Sequence, residues 1–454
     1  MATSNLIADP LAALRERSYL VLLALAGVIG VVVAFAAYWF LYVVNNLQHW
    51  VYVEPVPGWL GLHSVPIWWP LPVLAFTGSV VALTIRYLPG RGGRSPADGF
   101  QPGERPTPVE LPGIAVAAIA SIGLGAVIGP EGPLVALGAG LAICATKLVP
   151  RNVPTAAVAI VAAAGSFAAI ATLLGSPLLG AVFLLEAAGL GGAMQRVVLL
   201  PGLLASGVGA LIFIGIDSWT GYGTFSLAIP NLPHFGRPDV AEFGWAIGIG
   251  LAAAVLGVSF RKIGSGLRPW VERHVVLISP VVGLAVAGLA IAFAEGSGKS
   301  SSLVLFSGQT ALGPFLDHAA SYSVATVVLL LACKGLAYGA SLSTFRGGPT
   351  FPAMFLGAAG GVALSHAPGL PMVAGAAMGI GAMTAVILRL PIVSVLLATL
   401  LLASDGLAVM PLVIVAVVVA YVAAERIAPS PPQAAQETPP AEPATAAPRT
   451  DAAS

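Results

Sequence analysis

The chain has 454 residues, of which 57% are apolar and only 9% are Asp, Glu, Lys or Arg, against roughly 25% charged in a soluble domain. So few charges cannot cover a water-exposed surface, and a net charge of +1 with arginines scattered between apolar segments leaves no nucleic-acid footprint. The two cysteines, Cys144 and Cys333, both stand inside apolar runs, which gives neither a disulfide framework nor a metal-ligand spacing.

The first apolar run, 19–44, is longer than a signal-peptide core and leads to no small-residue cleavage site, so it is expected to stay in the membrane. Arg15 and Arg17 precede it, the loop 45–66 has no Lys or Arg, and the next loop carries Arg86, Arg91, Arg94 and Arg105. The positive-inside rule then places the N-terminal residues 1–17 in the cytoplasm, below a plasma or inner membrane.

Apolar helices are predicted at 67–87, 109–128, 133–148, 152–174, 177–190, 196–215, 239–260, 274–295, 322–344, 352–366, 371–388, 391–404 and 407–424. Several are too short to cross about 30 Å at about 1.5 Å per residue. Three start at Pro, in Gly132-Pro133, Ser176-Pro177 and Leu390-Pro391, where the missing N–H costs nothing. These segments are expected to be helices broken within the membrane, their ends buried in protein or facing a wet cavity.

Residues 18–424 divide into halves of roughly 67–215 and 239–424 that echo each other. Pro133 leads Gly138 by five and Gly165 leads Pro177 by twelve; Pro352 leads Gly357 by five and Gly379 leads Pro391 by twelve. Matching broken helices in two halves point to an internal-repeat transporter with its site near the midplane. Residues 425–454, with seven prolines and no aromatic residue, are expected to be a disordered tail and no regulatory domain.

Glu131 lies in Gly129-Pro130-Glu131-Gly132-Pro133 between strongly apolar stretches. A carboxylate there costs several kcal/mol unless solvated, paired or protonated, which makes it a functional candidate. The helix beginning at Pro133 would turn its positive end toward the acid, and the same end attracts a free anion. A side chain that competes with a permeating anion for one place, and leaves when protonated, is a gate.

These residues resemble the CLC family of chloride channels and proton-coupled chloride antiporters. Gly129 to Pro133 is similar to the family's G-x-E-G-P signature, with Glu131 at the gating glutamate. Gly165-Ser166-Phe167 through Ser176-Pro177 to Glu186 resembles a second motif, and Gly347-Gly348-Pro349-Thr350-Phe351-Pro352 a third. The resemblance implies an all-α polytopic membrane protein with the CLC inverted-repeat fold, many broken or tilted helices, and a homodimer whose subunits each hold an anion pathway lined by helix N-termini. It implies anion-binding roles for Gly129, Gly132, Thr350 and Phe351.

Departures from the family pattern are equally informative. Its serine motif is not intact, and Ser95 in Gly92-Gly93-Arg94-Ser95-Pro96 is the nearest candidate anion ligand; the alternative is an arginine-rich cytoplasmic loop. Pro349 cannot give the backbone donor expected at its position, and Pro130 stands where the family often has a basic residue, so weaker anion binding is expected. The late anion-contacting tyrosine matches only Tyr421, which could equally be a core aromatic. Glu186 is a possible proton-pathway residue, although Ala187 holds the place where antiporters often carry the internal acid. Lys334 and Arg389 could draw anions or pair with acids or carbonyls.

The reading is transport of chloride or a similar small anion across the lipid bilayer through a glutamate-gated pathway in each subunit, channel-like in preference to exchange for protons. Proton-coupled chloride or fluoride antiport is the alternative. No enzymatic activity, cofactor, metal or nucleic acid is called for. An intramembrane hydrolase would need a pair such as Ser166 and His366, and a cation-coupled carrier would not explain the Gly-Pro-Glu-Gly-Pro segment.

Overall fold

The structure, a computed structural model, describes residues 14–62, 65–99, 105–147, 154–189, 192–220, 229, 233–402 and 405–429. The described residues form fifteen helices and a few single turns. In chain order the helices are α1 (Arg17–Tyr52), α2 (Pro70–Tyr87), α3 (Leu111–Gly123), α4 (Glu131–Lys147), α5 (Thr155–Leu174), α6 (Pro177–Ala188), α7 (Gly192–Thr220), α8 (Val240–Arg273), α9 (Val275–Ser297), α10 (Gln309–Asp317), α11 (Val324–Thr344), α12 (Thr350–Leu364), α13 (Met372–Leu388), α14 (Pro391–Leu401) and α15 (Gly406–Ile427). Among the described residues eight helices are long and apolar enough to cross a membrane, and α3, α6, α12, α13 and α14 are apolar but shorter. The chain is an integral, multi-pass membrane protein.

Helices pair within each half, α4 on α5 and α12 on α13, and the glycines singled out by spacing are where they cross. A methyl group on Gly138 would overlap the Gly165 carbonyl, and one on Gly165 the Gly138 carbonyl; Gly357 and Gly379 stand in the same mutual relation. Glycine permits this approach because lipid gives no hydrophobic drive and close backbone packing must hold the pair. Each pair ends alike: Gly175 (φ 64) and Arg389 (φ 60) turn left-handed, and Pro177 and Pro391 open α6 and α14.

Some expectations need correction. α4 begins at Glu131 and α12 at Thr350, two residues earlier than predicted, so Pro133 and Pro352 are third in their helices, still among the amides that lack an intrahelical partner. The helix predicted at 239–260 starts as expected, on an Asp239 and Glu242 capping box, but continues to Arg273, because the Arg, Lys and Leu residues after 260 propagate a helix well. α10 was not anticipated, being nine residues with Pro314 inside. Of the tail predicted from 425, α15 takes residues to Ile427; residues 430–454 lie outside the described residues, as do 1–13.

Candidate functional site

The connection from α3 to α4 crosses the protein interior without regular structure, so every backbone group it exposes needs a partner. Tyr52 donates its hydroxyl to the Leu124 carbonyl at 2.9 Å, Phe306 N–H donates to the Gly125 carbonyl at 3.2 Å, and Val127 N–H donates to Ser341 Oγ at 3.2 Å. Gly129 and Gly348 then exchange a pair of backbone hydrogen bonds, 2.7 and 2.6 Å, forming an isolated antiparallel bridge between the two halves. This bridge brings the first residues of α4 and α12 together.

Glu131 is fully buried at that junction. Its carboxylate does not lean on the axis of its own helix alone, as the sequence suggested. It reaches across to α12, where Phe351 N–H donates to Oε1 at 2.9 Å. The Thr350 amide and hydroxyl also stand close to the carboxylate, yet neither Oε2 nor the Thr350 hydroxyl makes a hydrogen bond of ordinary geometry. A side-chain carbon on Gly129 or Gly348 would collide with Oε2, so glycine at both places makes room for the acid. The carboxylate occupies the spot to which a free anion would be drawn by the α12 amides.

On one side of Glu131 lies a cavity of about 60 Å³ lined by Gly92 to Pro96, Gly132, Pro133, Arg346, Gly347 and Pro349. The 88–99 loop reaches it through left-handed backbone at Gly90, Arg91, Gly92 and Gly93, three of which glycine adopts without a Cβ penalty. Ser95 is therefore brought to the same cavity as Gly132 and Pro349; its hydroxyl donates weakly to the Leu342 carbonyl at 3.4 Å. Asp98 of this loop is ion-paired with Arg268 of α8, and Arg268 also holds Glu272 at 2.5 Å. Arg346, which the sequence reading passed over, lines the cavity as well. Its place directly before Gly347 was the available signal.

A second hollow, a recess of about 720 Å³, is lined by groups including Gln48, His49, Tyr52, Lys299, Ser302 and Phe306. It adjoins the end of α1 where Trp69, just before α2, donates to the Val51 carbonyl at 2.9 Å, whereas the cavity adjoins the loop that follows α2. The two hollows thus lie at opposite ends of α2, and the smaller one is lined by Gly132 beside Glu131. The recess wall is held by Lys334, a fully buried residue of α11 whose ammonium donates to the carbonyls of Leu303, Val304, Leu305 and Phe306 at 3.0 to 3.2 Å and lies 4.6 Å from the Phe355 ring. Lys334 pairs with carbonyls.

Other candidates lie elsewhere. Glu186, near the end of α6, accepts Ile392 N–H at 2.9 Å and Val393 N–H at 2.8 Å, so its carboxylate caps the N-terminus of α14. Tyr421 is only partly buried on α15, which packs on α8, α13 and α14, and it does not line the cavity. The tyrosine at the junction is Tyr338 of α11, fully buried, whose hydroxyl donates to the Pro349 carbonyl at 3.2 Å. Arg389 is ion-paired to Glu425 at 3.6 Å. Ser166 donates to the Val135 and Ala162 carbonyls and His366 Nδ1 lies 3.0 Å from the Val362 carbonyl, so each is tied to nearby backbone.

Comparison with known proteins bears on the family and the fold. Residues 77–425 match the family model described as voltage gated chloride channel. The chain is 30% identical over 366 residues to YfeO of Escherichia coli O1:K1, a proposed ion-transport protein, covering 79% of this chain and 82% of that one. A slow cyanobacterial chloride/proton antiporter superposes with a TM-score of 0.71 at 20% identity, over 90% of this chain and 95% of the other. A CLC-type fluoride/proton antiporter gives a TM-score of 0.66 at 21% identity, over 89% and 95%.

Proposed function

Since the chain belongs to the voltage-gated chloride channel (CLC) family, whose activity is anion transport, we propose that it moves chloride or a similar small anion past Glu131 and that this carboxylate is the gate. The observation that carries the proposal is the Phe351 N–H bond to Glu131 Oε1 at the start of α12. A carboxylate in that bond excludes a free anion from the same amides. Once protonated it no longer competes by charge, and once swung away it vacates the donors of Thr350 and Phe351. Gly129 and Gly132 keep the backbone around it unhindered, and Ser95 faces the pathway from the arginine-bearing loop, which the positive-inside rule puts in the cytoplasm.

Uncoupled, channel-like movement is the preferred form. Both oxygens of Glu186 are engaged by α14 amides and Ala187 carries no proton, which leaves no free acid in that stretch to feed Glu131. Proton-coupled exchange is the second reading, favoured by the structural likeness to a chloride/proton and a fluoride/proton antiporter. Anion efflux from liposomes holding the purified protein, with and without a pH gradient, separates the two: a channel follows the chloride gradient alone, whereas uphill proton movement driven by chloride establishes exchange.

Two subunits, each with its own pathway, complete the proposal. α6 and α14 are short and present exposed Leu178, Ile392 and Leu400, an apolar face suited to a second copy. Cross-linking in membranes should trap a two-subunit species; a monomer alone would contradict this.

A further inference from the structure

We propose that the cavity beside Glu131 is built for a small planar oxyanion, nitrate-like in shape, in preference to a halide, and that Arg346 determines this. The inference rests on the transport reading above and adds the class of anion to it. Arg346 lines the cavity together with Ser95, Gly132 and Pro349. Its backbone N–H donates to Ser121 Oγ at 3.1 Å and its Nε donates to the Arg91 carbonyl at 3.4 Å, which anchors the stem of the guanidinium. The two η nitrogens make no hydrogen bond to any described residue, and the carboxylates that act on Arg346 by charge, Asp98 and Glu272, are both ion-paired with Arg268.

The shape of the donors decides between ions. A sphere such as chloride is held best by donors converging from several directions, and Pro349 removes one of the backbone amides that would converge here. A guanidinium instead offers parallel N–H groups in one plane, which match two oxygens of a trigonal anion and meet a monatomic ion at a single point. The Ser95 hydroxyl stands in the same cavity to serve a third oxygen. Lysine would supply the same charge without the fork.

The test is calorimetric titration of the purified protein with sodium nitrate, sodium chloride and sodium thiocyanate, repeated on Arg346→Lys and Ser95→Ala, with liposome flux of the same anions in parallel. Thiocyanate is weakly hydrated but linear, so it separates easy dehydration from recognition by the fork. The expected result is nitrate binding tighter than chloride and thiocyanate, with the nitrate-over-chloride ratio falling about tenfold in Arg346→Lys, the order expected for losing one charge-assisted bidentate contact, and less in Ser95→Ala. Chloride binding as tightly as nitrate, thiocyanate matching nitrate, or a ratio unchanged in a well-folded Arg346→Lys would each overturn the inference while leaving anion transport standing. If Arg346→Lys fails to fold, the ratio in Ser95→Ala and the wild-type order of the three anions decide. Absence of any anion flux would overturn the transport reading and this inference together.

Discussion

Phe351 donates its backbone N–H to Glu131 Oε1 across 2.9 Å, joining the acid of one half to the helix that opens the other. The two residues are 220 positions apart in the chain, and the pair of hydrogen bonds between Gly129 and Gly348 is what keeps them in reach. The proposed gate is therefore a contact between halves, so what disturbs that seam should disturb both stability and transport.

Gly348→Ala tests the seam. Gly348 has ordinary backbone angles, so the added methyl strains nothing by conformation, but it would collide with Glu131 Oε2. Overpacking of this kind costs about 1–3 kcal/mol. A lower melting temperature in detergent is expected, together with anion flux less dependent on pH because the carboxylate can no longer seat. Wild-type melting and wild-type pH response would show that Gly348 has spare room.

Lys334→Met removes the side-chain donor shared by four carbonyls, Leu303 to Phe306, of which Val304 and Leu305 are buried, while nearly keeping the volume. Unpaired buried acceptors cost about 1–3 kcal/mol each, and part of the loss is recovered because an ammonium no longer has to be desolvated. The net expectation is destabilisation by about 3 kcal/mol, read by tryptophan fluorescence during thermal unfolding. A variant as stable as the wild type would mean that the 303–306 segment finds other donors.

Pro349→Ala restores a backbone N–H at the mouth of α12 and leaves the carbonyl that accepts from Tyr338 in place. Chloride affinity should rise by about 1 kcal/mol, near fivefold, in calorimetry. Nitrate should gain less, because its main contact is with Arg346. Weaker chloride binding in a folded variant would place Pro349 away from the anion.

Glu186→Gln separates capping from proton carriage. Glutamine keeps one acceptor oxygen where the carboxylate uses two, against Ile392 and Val393 N–H, so α14 should lose about 1 kcal/mol of capping. Anion flux is expected to persist. Loss of proton movement alone, with stability unchanged, would instead make Glu186 a proton donor.

Much of the packing within each half was legible in the sequence, for a physical reason. Glycine and proline at membrane depth have few uses other than close crossing and helix starts, so the spacing of Gly138, Gly165, Gly357 and Gly379 already marked the contacts within each half. Glu131 stood out because an acid in an apolar stretch must have a partner. Its partner did not stand out: a backbone amide at Phe351 leaves no trace in residue type. Arg346 was missed because a single arginine beside a glycine motif looks like a loop charge, and only the structure shows the left-handed turn at Gly90 to Gly93 bringing the 88–99 loop against it at the cavity. Tyr338 was overlooked for Tyr421 because a search near the chain end weighs sequence position, whereas α11 delivers Tyr338 from the middle of the second half.

The central claim is that the Glu131 carboxylate sits in the anion's place and leaves when neutralised. Its most direct measurement is chloride efflux from liposomes over a range of pH, wild type against Glu131→Gln. Acidification neutralises the carboxylate and weakens its charge-assisted bond to Phe351 N–H, so wild-type flux should rise as pH falls, while Glu131→Gln should pass chloride at a rate nearly independent of pH. A Glu131→Gln protein with the wild-type rate and the wild-type pH response would contradict the account.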